Sequence, residues 1–211
     1  ADLTVRVHQD GISKFGMKRI KQYPLKDRAE LFKNYFKFLF VREPMDRLYS
    51  GYRDKIKSDL DEEYEPYKRY YLQHFGSRII KMFRPDSPQH LLKSGRSVKF
   101  DEFLGFINRD LNNGVAVDVH WRPFHKMVNP CAFEFDFIGK HETLENDLQF
   151  VLPELFYNEN TEGIFPKQNV KMKSKLTSVL DYVQDPSIFE KIFQHYAKDF
   201  QIYGYDMEKY L

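Results

Sequence analysis

The stretch FLFVREPMDRLYSGYRDK, Phe38 to Lys55, decides how the rest of the chain is read. Phe38-Leu39-Phe40-Val41 is a short continuous apolar run, the pattern of a buried parallel strand. Arg42-Glu43-Pro44 is a turn, and Pro44 suits the first position of a helix, where its missing N–H costs nothing. Leu48, Tyr49, Tyr52 and Ile56 then recur at helical spacing, which predicts a helix to about Ser58. A strand followed directly by a helix delivers Arg42 to the carboxyl edge of a sheet, where open α/β sheets bind ligands. The helix directs its N-terminal N–H groups and its dipole at the same place. Arg42 adds a planar fork suited to phosphate oxygens. Ser50, two turns into the helix, supplies a hydroxyl donor, and Arg47, Arg53 and Lys55 add positive charge. A basic helix with ordinary surface ion pairs has the same composition. An arginine at the tip of a buried strand is costly without an anion, which favours an anion site.

The flanking sequence fits one domain spanning residues 1–211, with no internal repeat and no low-complexity tract. A helix is expected over about Lys26 to Lys33, and another over Tyr67 to Phe83, ended by Pro85 and Pro88. Asp59-Leu60-Asp61-Glu62-Glu63 is an acidic loop, solvated or holding a cation. Phe100 to Ile107 is a short amphipathic helix and Asn112-Asn113-Gly114 a turn. Phe133 to Ile138 alternates aromatic and acidic residues before Gly139, which predicts a second strand. A helix is expected from near Thr143 to Pro153. The last helix is the plainest: Asp185 caps it, Pro186 opens it, and Ile188, Phe189, Ile192, Phe193, Tyr196 and Phe200 form its core stripe. More helix than strand, in strand-turn-helix units, predicts an α/β fold with a small parallel sheet.

Composition sets the bounds. The 211 residues are 42% hydrophobic and 30% charged, a globular balance with enough chain for a core. Aromatic residues reach 17%, with 20 Phe and 14 Tyr against a single Trp, so the core is Phe-rich. The net charge of +2 rules out a polyanion field over the whole surface, so any anion site is local. Nucleic-acid binding has no recognition motif behind it, and no His/Cys spacing supports a metal. The single cysteine, Cys131, allows no internal disulfide. No apolar run approaches the length of a transmembrane helix.

At Phe38–Lys55 the chain resembles the 3′-phosphate-binding motif of the Golgi carbohydrate sulfotransferases, above all the chondroitin, dermatan and N-acetylgalactosamine 4-O-sulfotransferases. The resemblance continues through Val98–Phe103, His120-Trp121 with Asn129-Pro130-Cys131, Phe137–Leu144 and the final Tyr203–Leu211, in the family's order. It implies a P-loop-NTPase-like sulfotransferase fold, a small parallel sheet flanked by many helices. It also implies the co-substrate 3′-phosphoadenylyl sulfate (PAPS), with Arg42 and Ser50 on its 3′-phosphate and Arg47 and Arg53 beside them. The acceptor would be a glycan or glycosaminoglycan, and the protein a Golgi membrane protein whose anchor lies upstream.

Two features depart from the family pattern. The family's 5′-phosphosulfate loop, a strand followed by a Pro-Lys-x-x-x-Thr/Ser turn, is not found; Pro24-Leu25-Lys26 has the wrong order, and the loop is expected upstream of Ala1. The family's paired cysteines are also broken, with Val128 where the first is expected. That leaves Cys131 a free buried thiol or paired outside the chain.

Sulfuryl transfer needs a base for the acceptor hydroxyl, and a neutral histidine or a carboxylate suits it near pH 7. His8 is the first candidate, because Val7-His8 resembles a Val-His element of the 4-O-sulfotransferases. His120, with Trp121 and Arg122, is the second; a core His-Trp pair is its structural alternative. His74, His90, His125 and His195 are read as surface. Lys140 and Glu142 serve the nucleotide or acceptor site or cap the following helix. Lys167, Lys171, Lys173 and Lys175 attract an acidic polymer or are a solvated face. Against the enzyme stands a non-catalytic glycan- or nucleotide-binding module, for which the absent 5′ loop argues. A uronyl 2-O-sulfotransferase is disfavoured by the His-Trp and Asn-Pro-Cys region. An ATP-dependent phosphotransferase lacks a Walker lysine motif.

Overall fold

The structure is a computed structural model describing residues 19–58, 66–128, 130, 134–155 and 179–210. Helix α1 is Leu25–Asn34, strand β1 Phe38–Val41 and helix α2 Pro44–Lys55. Helix α3, Pro66–Tyr71, runs through a π-helical turn at Leu72–Gly76 into α4, Ser77–Phe83. Helices α5 (Gln89–Ser94) and α6 (Phe100–Asn112) follow, then an irregular crossing to strand β2, Phe137–Lys140. Helices α7 (Leu144–Leu155) and α8 (Pro186–Tyr203) complete the order.

The two strands are parallel, with Phe38 beside Phe137 and Val41 beside Lys140. Gly139 lies opposite Phe40, and a Cβ there would strike the Phe40 ring, so only glycine lets the strands approach at this point. This is the α/β arrangement that the strand-turn-helix units predicted: a small parallel sheet among many helices. Three expectations are corrected. The second strand is Phe137–Lys140, not Phe133–Ile138, because its partner starts only at Phe38. Just before that, the Asp136 carboxylate accepts the Lys37 N–H at 2.7 Å and holds the Lys37 ammonium at 2.9 Å, closing the ladder instead of extending it. In β1 itself only Val41 is buried; Phe38 is exposed and Leu39 and Phe40 half-buried, since among the described residues the sheet has just two strands. Finally, α7 carries Pro153 in its last turn instead of ending there.

The helices follow local chemistry. Pro44 opens α2 and the Glu43 carboxylate caps it by accepting the Asp46 N–H at 2.6 Å. Asp185 caps α8 through the Ser187 N–H, and Gly204, at φ +62°, ends it in a left-handed turn. Helix α6 runs past the predicted Ile107 because Leu111 continues its buried stripe to a fourth turn. At the end of α5, Gly95 adopts φ +70° against Leu72 and Gly76, where any Cβ would meet backbone atoms.

The core lies between α2, α4, α6 and α8. Met45 and Leu48 of α2, with Ile56 just past its end, meet Ile79 and Ile80 of α4, Phe103, Leu104 and Ile107 of α6, and Ile192, Tyr196 and Phe200 of α8. Trp121 enters this cluster from the irregular segment, fixing the 117–127 stretch to the helices. Ile188, expected in the α8 stripe, is only partly buried and packs at its margin.

Candidate anion cleft

The carboxyl end of β1 and the exposed side of α2 open on a cleft of about 520 Å³. Arg42, Arg47, Ser50 and Arg53 line it from the strand-turn-helix unit, and His120 faces them from the 117–127 segment. All four residues expected at the phosphate site, and the second candidate base, thus border one space. His8, the first candidate, lies outside the described residues, as do Cys131 and Lys167, Lys171, Lys173 and Lys175. The sequence reading missed Tyr67, Lys68 and Asp54 on the same wall. The lining carries four Arg and Lys side chains against one carboxylate, and that carboxylate, Asp54, pairs with Lys55 at 2.7 Å. An anion is the ligand that this charge distribution suits.

The two arginines nearest the turn differ. Arg42 is half-buried, and among the described residues no hydrogen bond or ion pair engages its guanidinium. The Arg47 guanidinium donates to the carbonyls of Arg122 at 2.7 Å and Val119 at 2.6 Å, and lies 5.3 Å from the centre of the Phe124 ring. Burial lowers its pKa from the ordinary value, with Tyr196 and Asp199 opposing that shift. Arg47 therefore ties α2 to the segment that carries His120. Arg47→Met should destabilise the fold by about 2–4 kcal/mol in urea unfolding, because two carbonyls lose their donors. If Arg47 instead grips the nucleotide, Arg47→Met will cut nucleotide affinity at unchanged stability.

The helix start also differs from expectation. Two of its amides are taken by carboxylates: Glu43 accepts the Asp46 N–H, and Glu142 accepts the Glu43 N–H at 2.9 Å. Burial raises the Glu43 carboxyl above its ordinary range, opposed first by the Asp46 amide. Glu142 also receives the Tyr205 hydroxyl at 2.9 Å, while the Lys140 ammonium donates to the Gly204 carbonyl at 2.8 Å. These two residues join the C-terminal tail to the β1–α2 turn. The amide ahead of α7 is taken by Asp147, which accepts the Lys140 N–H at 2.7 Å.

His120 is held from two sides. Its Nδ1 lies 2.6 Å from Asp118 Oδ1 and 3.2 Å from the Tyr71 hydroxyl. Its backbone passes Gly51 so closely that a Cβ there would sit 3.0 Å from the His120 carbonyl oxygen. The missed signal was Asp118, two residues before a histidine in a turn, a spacing at which an Asp side chain bonds nearby backbone. Of the histidines read as surface, His74 and His90 are exposed and His195 is half-buried. His125 is a correction: its side chain is 14% exposed and its Nδ1 lies 2.5 Å from the buried Asp199. Asp199 also accepts the N–H groups of Phe124 and His125, so that pair staples the segment to α8.

A strand-tip arginine, a helix serine and a turn histidine thus border one electropositive cleft at the edge of a small parallel sheet. The sequence pattern of the sulfotransferase family matches residues 4–206, and the chain belongs to that family. It is 32% identical over 195 residues to carbohydrate sulfotransferase 9 of Homo sapiens, covering 90% of this chain and 42% of that protein. It is 30% identical over 203 residues to carbohydrate sulfotransferase 11 of Rattus norvegicus, covering 92% and 54%. Against carbohydrate sulfotransferase 14 of Danio rerio the identity is 30% over 191 residues, covering 89% and 48%. The chain spans about half the length of these curated relatives. No solved structure matches it. Among the described residues no helix is long and apolar enough to cross a membrane.

Proposed function

We propose that this chain is catalytic sequence of a carbohydrate sulfotransferase that moves a sulfuryl group from PAPS to a glycan hydroxyl. The acceptor proposed is the 4-hydroxyl of N-acetylgalactosamine in chondroitin, dermatan or an N-glycan. The setting proposed is the Golgi lumen, with the membrane anchor outside this chain. The observation that carries the proposal is the shared cleft in which His120, remote in sequence, faces Arg42 and Ser50 of the strand-turn-helix unit, in a chain that belongs to the sulfotransferase family.

In this reading Arg42 and Ser50 hold the 3′-phosphate, and Arg53 adds to the field. Arg47 acts there mainly through its charge, since its N–H groups serve carbonyls. The acceptor oxygen attacks sulfur as the bond from sulfur to the bridging phosphate oxygen breaks. That electron pair stays on the leaving adenosine 3′,5′-bisphosphate, and the hydroxyl proton passes to His120 Nε2. The cations of the cleft stabilise the charge that develops on the leaving group.

Transfer from PAPS to desulfated chondroitin, dermatan and GalNAc-terminated N-glycans, measured on the full-length protein, tests this. His120→Ala is expected to lower kcat by about 100-fold or more. Loss with His8→Ala instead would move the base to His8. Nucleotide binding without transfer to any acceptor would favour the non-catalytic module.

A further inference from the structure

We infer that Asp118 is the positioning residue of His120, fixing the ring so that Nδ1 carries the proton and Nε2 faces the cleft with its lone pair. The inference rests on the proposal that His120 is the base. Asp118 Oδ1 accepts the His120 backbone N–H at 3.0 Å and lies 2.6 Å from the ring Nδ1. An ionised carboxylate only accepts, so that short contact requires a hydrogen on Nδ1. In a neutral ring the other nitrogen is then the acceptor. His120 Nε2 has no hydrogen-bond partner among the described residues, and the ring borders the cleft.

Tyr71 completes the arrangement. Its hydroxyl sits 3.2 Å from Nδ1, within the field of the Asp118 carboxylate. With Nδ1 protonated, one Asp118 oxygen accepts both the backbone N–H and the ring N–H of His120. Burial, then Asp118, pushes the Tyr71 pKa up to about 12, which keeps the hydroxyl a donor. The turn itself is anchored by the backbone: the Asp118 main-chain carbonyl accepts the N–H groups of Trp121 at 3.1 Å and Arg122 at 2.8 Å. As the acceptor proton arrives at Nε2, the ring becomes cationic beside Asp118. The charge is met by a group already in place. The His125–Asp199 pair has a similar contact, but neither residue borders the cleft.

Asp118→Asn is the discriminating variant. Asn forms the same kind of turn, so the backbone is preserved. Its amide can donate to Nδ1, which turns the ring to the Nε2–H tautomer. Nitrogen-15 NMR of the His120 ring should show Nδ1–H in the neutral wild-type ring and a switch to Nε2–H in Asp118→Asn. In the full-length protein, kcat for transfer should fall about 100-fold with the KM for PAPS changed less than about threefold. Asp118→Glu, which keeps a carboxylate, should recover the wild-type tautomer and part of the rate. An unchanged tautomer in Asp118→Asn would overturn the inference. So would a switched tautomer with undiminished kcat while His120→Ala is inactive. If His120→Ala retains full activity the base assignment fails, and the NMR result still reads the Asp118 contact separately.

Discussion

Arg42→Ala should weaken adenosine 3′,5′-bisphosphate binding by about 100-fold or more in titration calorimetry, at little cost in stability. Each hydrogen bond to a charged group contributes about 1.5–3 kcal/mol, and a planar fork makes two at once. Losing about 3 kcal/mol corresponds to about two decades of affinity. Little stability should be lost, because among the described residues nothing pairs with the guanidinium. Arg42→Lys should retain part of the affinity, since a lysine keeps the charge but not the fork. Ser50→Ala should cost about 1 kcal/mol, the contribution of one neutral donor. Wild-type affinity in a folded Arg42→Ala protein would remove the 3′-phosphate from this turn, and with it the main support for the sulfotransferase chemistry proposed.

The second large effect is on stability. Trp121→Ala is expected to destabilise the fold by about 3–5 kcal/mol, read from the midpoint of urea unfolding. Trp121 is 1% exposed and meets the rings of Phe75 at 5.0 Å and Phe103 at 5.3 Å, edge to face. Its carbonyl accepts the hydroxyl of Tyr196, which is fully buried on α8. Removing the indole therefore leaves a cavity between the π-helical turn at Leu72–Gly76 and α6 and loosens the turn that holds His120. A domain of this kind is stable by about 5–15 kcal/mol, so the variant should be largely folded but marginal when warmed. A loss below about 1 kcal/mol would mean that the aromatic cluster is not packed as described.

Local chemistry made much of the fold legible. The apolar run of β1, Pro44 at the head of α2 and Asp185-Pro186 at the head of α8 act within a few residues, and the structure places those elements where they were expected. Readings weakened wherever a partner in space sets the boundary. The extent of β2 is fixed by where β1 begins, and α6 lengthens because Leu111 finds the core. Both depend on contacts that a periodicity count does not contain.

The site divides in the same way. Sequence by itself determined the strand-turn-helix unit at Phe38–Lys55 that carries Arg42, Arg47, Ser50 and Arg53, because its parts are contiguous and their geometry is local. Tertiary structure alone decided that His120 faces Arg42 and Ser50, that Arg47 turns into a carbonyl clamp, and that Asp118 and Tyr71 meet at one imidazole nitrogen. Those placements follow from Trp121 being buried among the helices and from Gly51 admitting the His120 backbone against α2. The physical reason is range: capping and periodicity act within a few residues, whereas the cleft exists only once α2, α6 and α8 have packed around one core.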